Sequence, residues 1–129
     1  MKKNYLIYCL FCFLIDSTCF GKGTWTQKAN LVGGGREYAA GFAIGNKGYI
    51  GAGTGYNDFW EYDPATNTWT QKANFAGGTR LGPTGFSIGN KGYIGTGYYK
   101  NNALVTFYYK DFWEFDPNTN IWTQKADFA

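Results

Sequence analysis

The chain contains no histidine. That single absence removes Ser–His–Asp triads, imidazole acid–base catalysis and histidine-ligated metal sites. Cysteine is scarce: Cys9, Cys12 and Cys19 are all there is, and all lie near the start. No disulfide framework or thiolate metal site can be built downstream, so packing alone must hold the fold. Charged residues make up only 16%, the net charge is +3, and the basic residues are scattered. No electrostatic footprint for nucleic acid results. No apolar run reaches the roughly 20 residues that a membrane-spanning helix needs.

The longest such run, Tyr5–Ile15, follows Lys2 and Lys3 and gives way to Ser17 and Thr18. Charge, apolar core and small polar residues in that order make a secretory signal. Residues 1–21 are therefore expected to direct export, to the periplasm, the cell surface or the medium, leaving no stable membrane span once removed. An anchor that stays attached is the alternative.

What the chain has in quantity is aromatic residues, 21%, and glycine, 19 of 129 residues. Rings suit pleated surfaces and glycine suits tight turns, so the remainder reads as all-β. It also says the same thing twice. Gly41–Gly51 is GFAIGNKGYIG and Gly85–Gly95 is GFSIGNKGYIG, ten of eleven positions identical at a spacing of 44. The match begins at Trp25 and Trp69 (WTQKAN in both) and resumes at DFWEYDPATNTWTQKAN against DFWEFDPNTNIWTQKAD, now offset by 53. Nine additional residues thus fall within YYKNNALVTFYYK. A repeat of about 40–50 residues with several short strands is the signature of propeller blades.

Each unit divides into four strands: Tyr38–Ile44, Gly48–Gly53, Asp58–Tyr62 and Thr68–Gln71, then Pro83–Ile88, Gly92–Gly97, Asp111–Phe115 and Ile121–Gln124. Gly45-Asn46 and Asp63-Pro64-Ala65-Thr66-Asn67 supply turn chemistry between them. DFWEY carries rings on both faces, as a sheet covered on both sides requires. Domain 22–129 then comprises repeats at about 36–75 and 80–128, preceded by a lone fourth strand at Thr24–Gln27.

The unit resembles a kelch repeat, of the exported bacterial type within the galactose-oxidase-like superfamily. The glycines closing the second strand are Gly51 and Gly53, then Gly95 and Gly97. The aromatic and the Trp that follow are Tyr62 and Trp69, then Phe115 and Trp122. The glycine pair is split by Ala52 and Thr96, and Phe115 lacks the tyrosine hydroxyl. The resemblance implies a β-propeller, here two four-stranded antiparallel blades plus one strand. KADFA stops where the earlier unit continues into GGTRLG, so the chain is expected to be part of a longer, incomplete propeller.

Chemistry is thin. Gly33-Gly34-Gly35 and Gly77-Gly78 lack the Lys-Ser/Thr of a phosphate loop. Six carboxylates recur at matched positions (Asp58 and Asp111, Glu61 and Glu114, Asp63 and Asp116), as strand-end and turn roles produce. No metal site, cofactor or catalytic residue is expected; the copper site of galactose oxidase relatives needs His and Cys that this domain lacks. Arg36 and Arg80 enter each innermost strand, where the resemblance implies a ligand-facing channel mouth, and a guanidinium there can grip carboxylates. Alternatively each ties down its own loop. The inserted stretch offers Tyr98, Tyr99, Tyr108 and Tyr109, with Phe107, as a contact surface, or simply lengthens its two strands. The expected function is a non-catalytic kelch module binding protein or glycan. The alternative is an exported kelch enzyme of sialic-acid mutarotase type, to which only Arg36-Glu37 points. Blade faces left open are expected to favour self-association.

Overall fold

A computed structural model describes residues 23–129; the signal-like segment 1–21 and its cysteines lie outside the described residues. The described residues form ten strands: β1 (Ala40–Ile44), β2 (Lys47–Gly51), β3 (Phe59–Asp63), β4 (Thr68–Lys72), β5 (Thr84–Ile88), β6 (Lys91–Gly95), β7 (Tyr98–Lys100), β8 (Thr106–Tyr108), β9 (Phe112–Asp116) and β10 (Ile121–Lys125). Strands β1-β2-β3-β4 make one antiparallel sheet, β5-β6-β9-β10 a second, and β7-β8 a separate ribbon. The two expected four-stranded blades are present. Their turns work as the residues predict: Asp63 Oδ1 accepts from Ala65 N and Asp116 Oδ1 from Asn118 N, both at 2.9 Å, while Asn67 and Asn120 take the left-handed position.

Two expectations need correction. Thr24–Gln27 is not a strand, and Trp25 is fully exposed. The same sequence becomes β4 in the next unit because it pairs with β3; no third strand flanks Thr24–Gln27 among the described residues. Nor does the insertion lengthen β6 and β9. Thr96 and Gly97 turn left-handed, at φ 60° and 88°, which ends β6 and starts the ribbon as its own sheet. Strand limits elsewhere differ from expectation by one or two residues.

The blades pack face to face, with β1 against β5 and β6. From blade one, Phe42, Tyr49 and Phe59 form a ring ladder with centroids 5.7–5.8 Å apart. From blade two, Phe115 and Trp122 meet Phe59 edge-on at 4.9 and 5.0 Å. The link between blades adds Phe75, 5.0 Å from Trp122. Phe59, Phe75, Ile94 and Phe115 are almost wholly buried. The Phe42 ring fits a hole above Gly85 and Gly92, where a Cβ on Gly92 would overlap the ring. Backbone bonds from Gly53 N to Arg80 O, 3.2 Å, and from Gly82 N to Tyr38 O, 3.0 Å, stitch the blades at the opposite end.

The split glycine pair has a visible cost. Ala52 sits at φ 55° and Thr96 at φ 60°, between glycines that must stay small. A Cβ on Gly51 would lie 2.8 Å from Asp58 O, and one on Gly95 2.9 Å from Asp111 O. A left-handed Ala is strained by about 1–2 kcal/mol, against a smaller gain in unfolded-state entropy on mutation to Gly. Ala52→Gly is therefore expected to stabilise the chain by about 0.5–1 kcal/mol in a urea titration; a destabilised variant would show that the buried methyl matters more.

Candidate binding face

One end of both blades is organised by a repeated arginine clamp. Arg36 donates to Asp58 Oδ1 at 2.6 Å and Oδ2 at 2.9 Å, and to Gly33 O at 3.0 Å. Arg80 donates to Asp111 Oδ1 at 2.5 Å and Oδ2 at 2.8 Å, to Thr96 O at 3.0 Å, and to Gly77 O. Each aspartate also accepts the indole N–H two residues on, from Trp60 at 2.6 Å and Trp113 at 2.7 Å. Aromatic faces cover the guanidinium groups: Tyr56 at 4.6 Å from Arg36, Tyr109 at 4.0 Å from Arg80. The arginine side chains are 2% and 0% exposed.

This corrects the reading of Arg36 and Arg80 as ligand contacts. A bidentate carboxylate and two carbonyls take up the Nη donors of each arginine, leaving only the buried Nε–H without a partner, so of the two readings the loop tie is the one the geometry realises. The hydrogen bond from Arg36, helped by that from Trp60, holds Asp58 below its ordinary value against the opposing effect of burial. At Asp111 burial pushes upward, but the bonds from Arg80 and Trp113 outweigh it and the net shift is again downward. Both aspartates are ionised partners. The pairing had a trace in the sequence: Arg36–Asp58 and Arg80–Asp111 differ in spacing by the nine inserted residues.

The inserted ribbon is rooted on this clamp. Leu81 and Tyr98 exchange backbone bonds of 2.8 and 2.9 Å, and Tyr109 N donates to Gly97 O at 2.9 Å. Tyr98 and Tyr109 are thus half-buried root residues, Tyr109 lying over Arg80. Beyond them the ribbon projects. Tyr99 and Phe107 are cross-strand partners on one face, 44% and 52% exposed; Tyr108, opposite Tyr98, is 81% exposed. Leu104 and Val105 at the tip are also exposed. Sequence reasoning singled out four tyrosines without distinguishing root from tip; the register does so.

The kelch-motif residues occupy structural positions. Gly51, Gly53 and Gly95 are buried, and Gly97 is half-buried. Trp69 Nε1 donates to Ala29 O at 2.9 Å and Trp122 Nε1 to Ala73 O at 3.1 Å, tying each blade to the segment that enters it. Asn67 and Asn120 complete the tie by accepting from Ala29 N and Ala73 N at 2.9 Å. Tyr62 adds a bond to Asn67 of 2.9 Å at an exposed site; Phe115, wholly buried between the blades, carries no hydroxyl to repeat it.

At the opposite, turn-bearing end a cleft of about 480 Å³ opens between the blades, lined by Ile44, Lys47, Tyr49, Glu61, Lys72 and Asn90 among others. Its carboxylate is saturated: Glu61 takes Lys47 at 2.6 Å, the Tyr49 hydroxyl at 2.7 Å and Lys72 at 3.5 Å. Burial raises Glu61, but those bonds prevail and hold it below its ordinary value, unsuited to act as an acid. Among the described residues no three His, Cys, Asp or Glu gather as metal ligands, and no helix is long and apolar enough to cross a membrane.

Four-stranded antiparallel meanders packed face to face, each with its inner strand against the next, define β-propeller blades. The first unit carries a kelch motif. A model described as the kelch motif matches residues 48–76, which span β2 to β4 and the start of the link. Among solved structures, that of YjhT matches with a TM-score of 0.62 and 28% identity, covering 70% of this chain and 27% of that one. The chain spans about a quarter of that relative's length. No curated protein matches the sequence.

Proposed function

We propose that this chain serves an exported protein as a non-catalytic kelch binding module, contacting protein or glycan through the β7-β8 ribbon. The observation that carries the reading is the exposure of Tyr99, Phe107 and Tyr108 on a ribbon whose root is held by a buried Arg–Asp pair. Amphipathic rings on a fixed support are what recognition surfaces use, because little conformational entropy is lost on contact. Of the two described blades, the first has the clamp but not the ribbon. Export is supported by the order of residues in segment 1–21. The enzyme alternative rested on Arg36-Glu37; Arg36 pairs with Asp58, and Glu37 accepts from Thr54 at 3.4 Å.

The test is a triple substitution, Tyr99→Ser, Phe107→Ser and Tyr108→Ser, screened with the parent on a glycan array and a displayed-peptide library. The triple variant should keep the parent's melting temperature and lose about tenfold or more in affinity for whatever the parent retains. Undiminished binding by the variant would remove the ribbon from consideration.

A further inference from the structure

The cleft at the turn-bearing end lies between the two described blades, so both of its walls are in place. One wall is formed by β2, β3 and β4 of blade one, the other by the β5-β6 and β9-β10 turns of blade two. Its volume of about 480 Å³ falls within the range of small-molecule sites, about 300–1,000 Å³.

Both units carry the same Lys, Tyr, Glu, Asp and Lys at this end, and they pair them differently. In blade two Lys91 pairs with Asp116 at 2.5 Å, which leaves Glu114 to Lys125 at 3.1 Å and to the Tyr93 hydroxyl at 2.8 Å. In blade one Lys47 turns instead to Glu61 Oε1 at 2.6 Å and stands 3.6 Å from Asp63. Lys72, the counterpart of Lys125, is left with a 3.5 Å contact to Glu61 Oε2, an oxygen that already accepts from Tyr49 at 2.7 Å. That is the one ion pair Lys72 makes among the described residues, and its side chain is 18% exposed against 39% for Lys125. An ammonium carries three donors and is costly to withdraw from water with few acceptors. Lys72 is thus a largely buried cation in the wall of a cleft with most of its donor capacity unspent.

The turns around it supply amides: Asn46 and Asn90 in the two hairpins and Asn118 after β9, all exposed. An asparagine side chain both donates and accepts, which is what the N–H and C=O of a peptide group answer. Ile44 and Pro117 give the lining an apolar part. Tyr49, the ring in the lining, is 5% exposed and offers no flat platform to a sugar.

We propose that this cleft binds the carboxylate end of a short peptide segment. Lys72 takes the carboxylate in a charge-assisted bond, and the asparagines take the peptide groups that precede it. The site lies at the end away from the ribbon and does not rest on the ligand role proposed for that surface.

Amide NMR of the nitrogen-labelled chain, titrated with N-acetyl-alanyl-leucine, tests it. The side-chain amide signals of Asn46, Asn90 and Asn118 should move together along one saturating curve. The same peptide ending in a carboxamide should bind about tenfold more weakly or worse, since it lacks the charge that Lys72 answers. Lys72→Gln should weaken the acid by the same factor and leave the carboxamide nearly unaffected, the coupling expected of a direct pair and not of a general structural loss. The absence of a saturable shift at these asparagines, or equal affinity of the parent for acid and carboxamide, would overturn the proposal. The second comparison needs no variant and decides the matter even if Lys72→Gln fails to fold. Tighter binding of glucuronate or inorganic phosphate than of the peptide would overturn the peptide class in favour of a sugar acid or a bare anion.

Discussion

Asp111→Ala is expected to destabilise the chain by about 3–5 kcal/mol, the cost of leaving a buried partner charge uncompensated. Arg80 has no exposed side-chain surface and cannot recover its interaction by turning to water. The same substitution also strips Trp113 Nε1 of its acceptor. The result is read from urea unfolding at fixed protein concentration, since self-association would couple stability to concentration. A loss under 1 kcal/mol would mean that the clamp is incidental. Asp111→Asn should fall between, because an amide oxygen can still accept from Arg80 but carries no charge.

The same pairs give the chain an acid limb. Asp58 and Asp111 are both held below their ordinary value of 3.8 in the folded chain. As pH falls the unfolded chain therefore takes up these protons first, and the folded state loses ground. Their contribution is fully present above the unfolded-state value and disappears as pH drops through the lower, folded one. Asp111→Ala should flatten this part of the stability–pH curve as well as lower its plateau; an unchanged slope on the acid side of 3.8 would contradict the assignment.

Trp122→Ala should cost about 3–5 kcal/mol, the range for emptying a large ring from a core. Its ring contacts Phe59, Phe75 and Phe115 at 5.0 Å each, and only 9% of the residue is exposed. Trp69, identical in motif position, is half-buried and lies on the outer face of its blade, beside Tyr62. Trp69→Ala should therefore cost less, about 1–2 kcal/mol, for the smaller area removed from water. Equal losses for the two would mean that the outer face of blade one is covered in solution.

That contrast marks the division between what the chain's residues determine by themselves and what the assembled fold decides. The repeat, the four strands per unit, the turns at Gly45-Asn46 and Asp63–Asn67, and the blade class were legible because each rests on local chemistry. Alternating rings, left-handed turn residues and a constant spacing of motif residues are all properties of short stretches. The absence of His, and of Cys after Cys19, likewise excluded whole reaction classes without any coordinates.

The roles of individual site residues were not legible, because they depend on partners distant along the chain. Arg80 could grip a ligand or its own loop until Asp111, 31 residues on, closed over it. TWTQK is a strand at Thr68–Lys72 and coil at Thr24–Lys28, since a strand exists only beside another strand. Trp69 and Trp122 share a motif and differ in burial, since burial belongs to the neighbour and not to the residue. Gly48 and Gly92 are the same letter in the same strand, yet one is an open hole and the other holds the ring of Phe42. Local sequence specified the shape of each blade; only packing one blade on the other determined which of its surfaces are filled and which remain free.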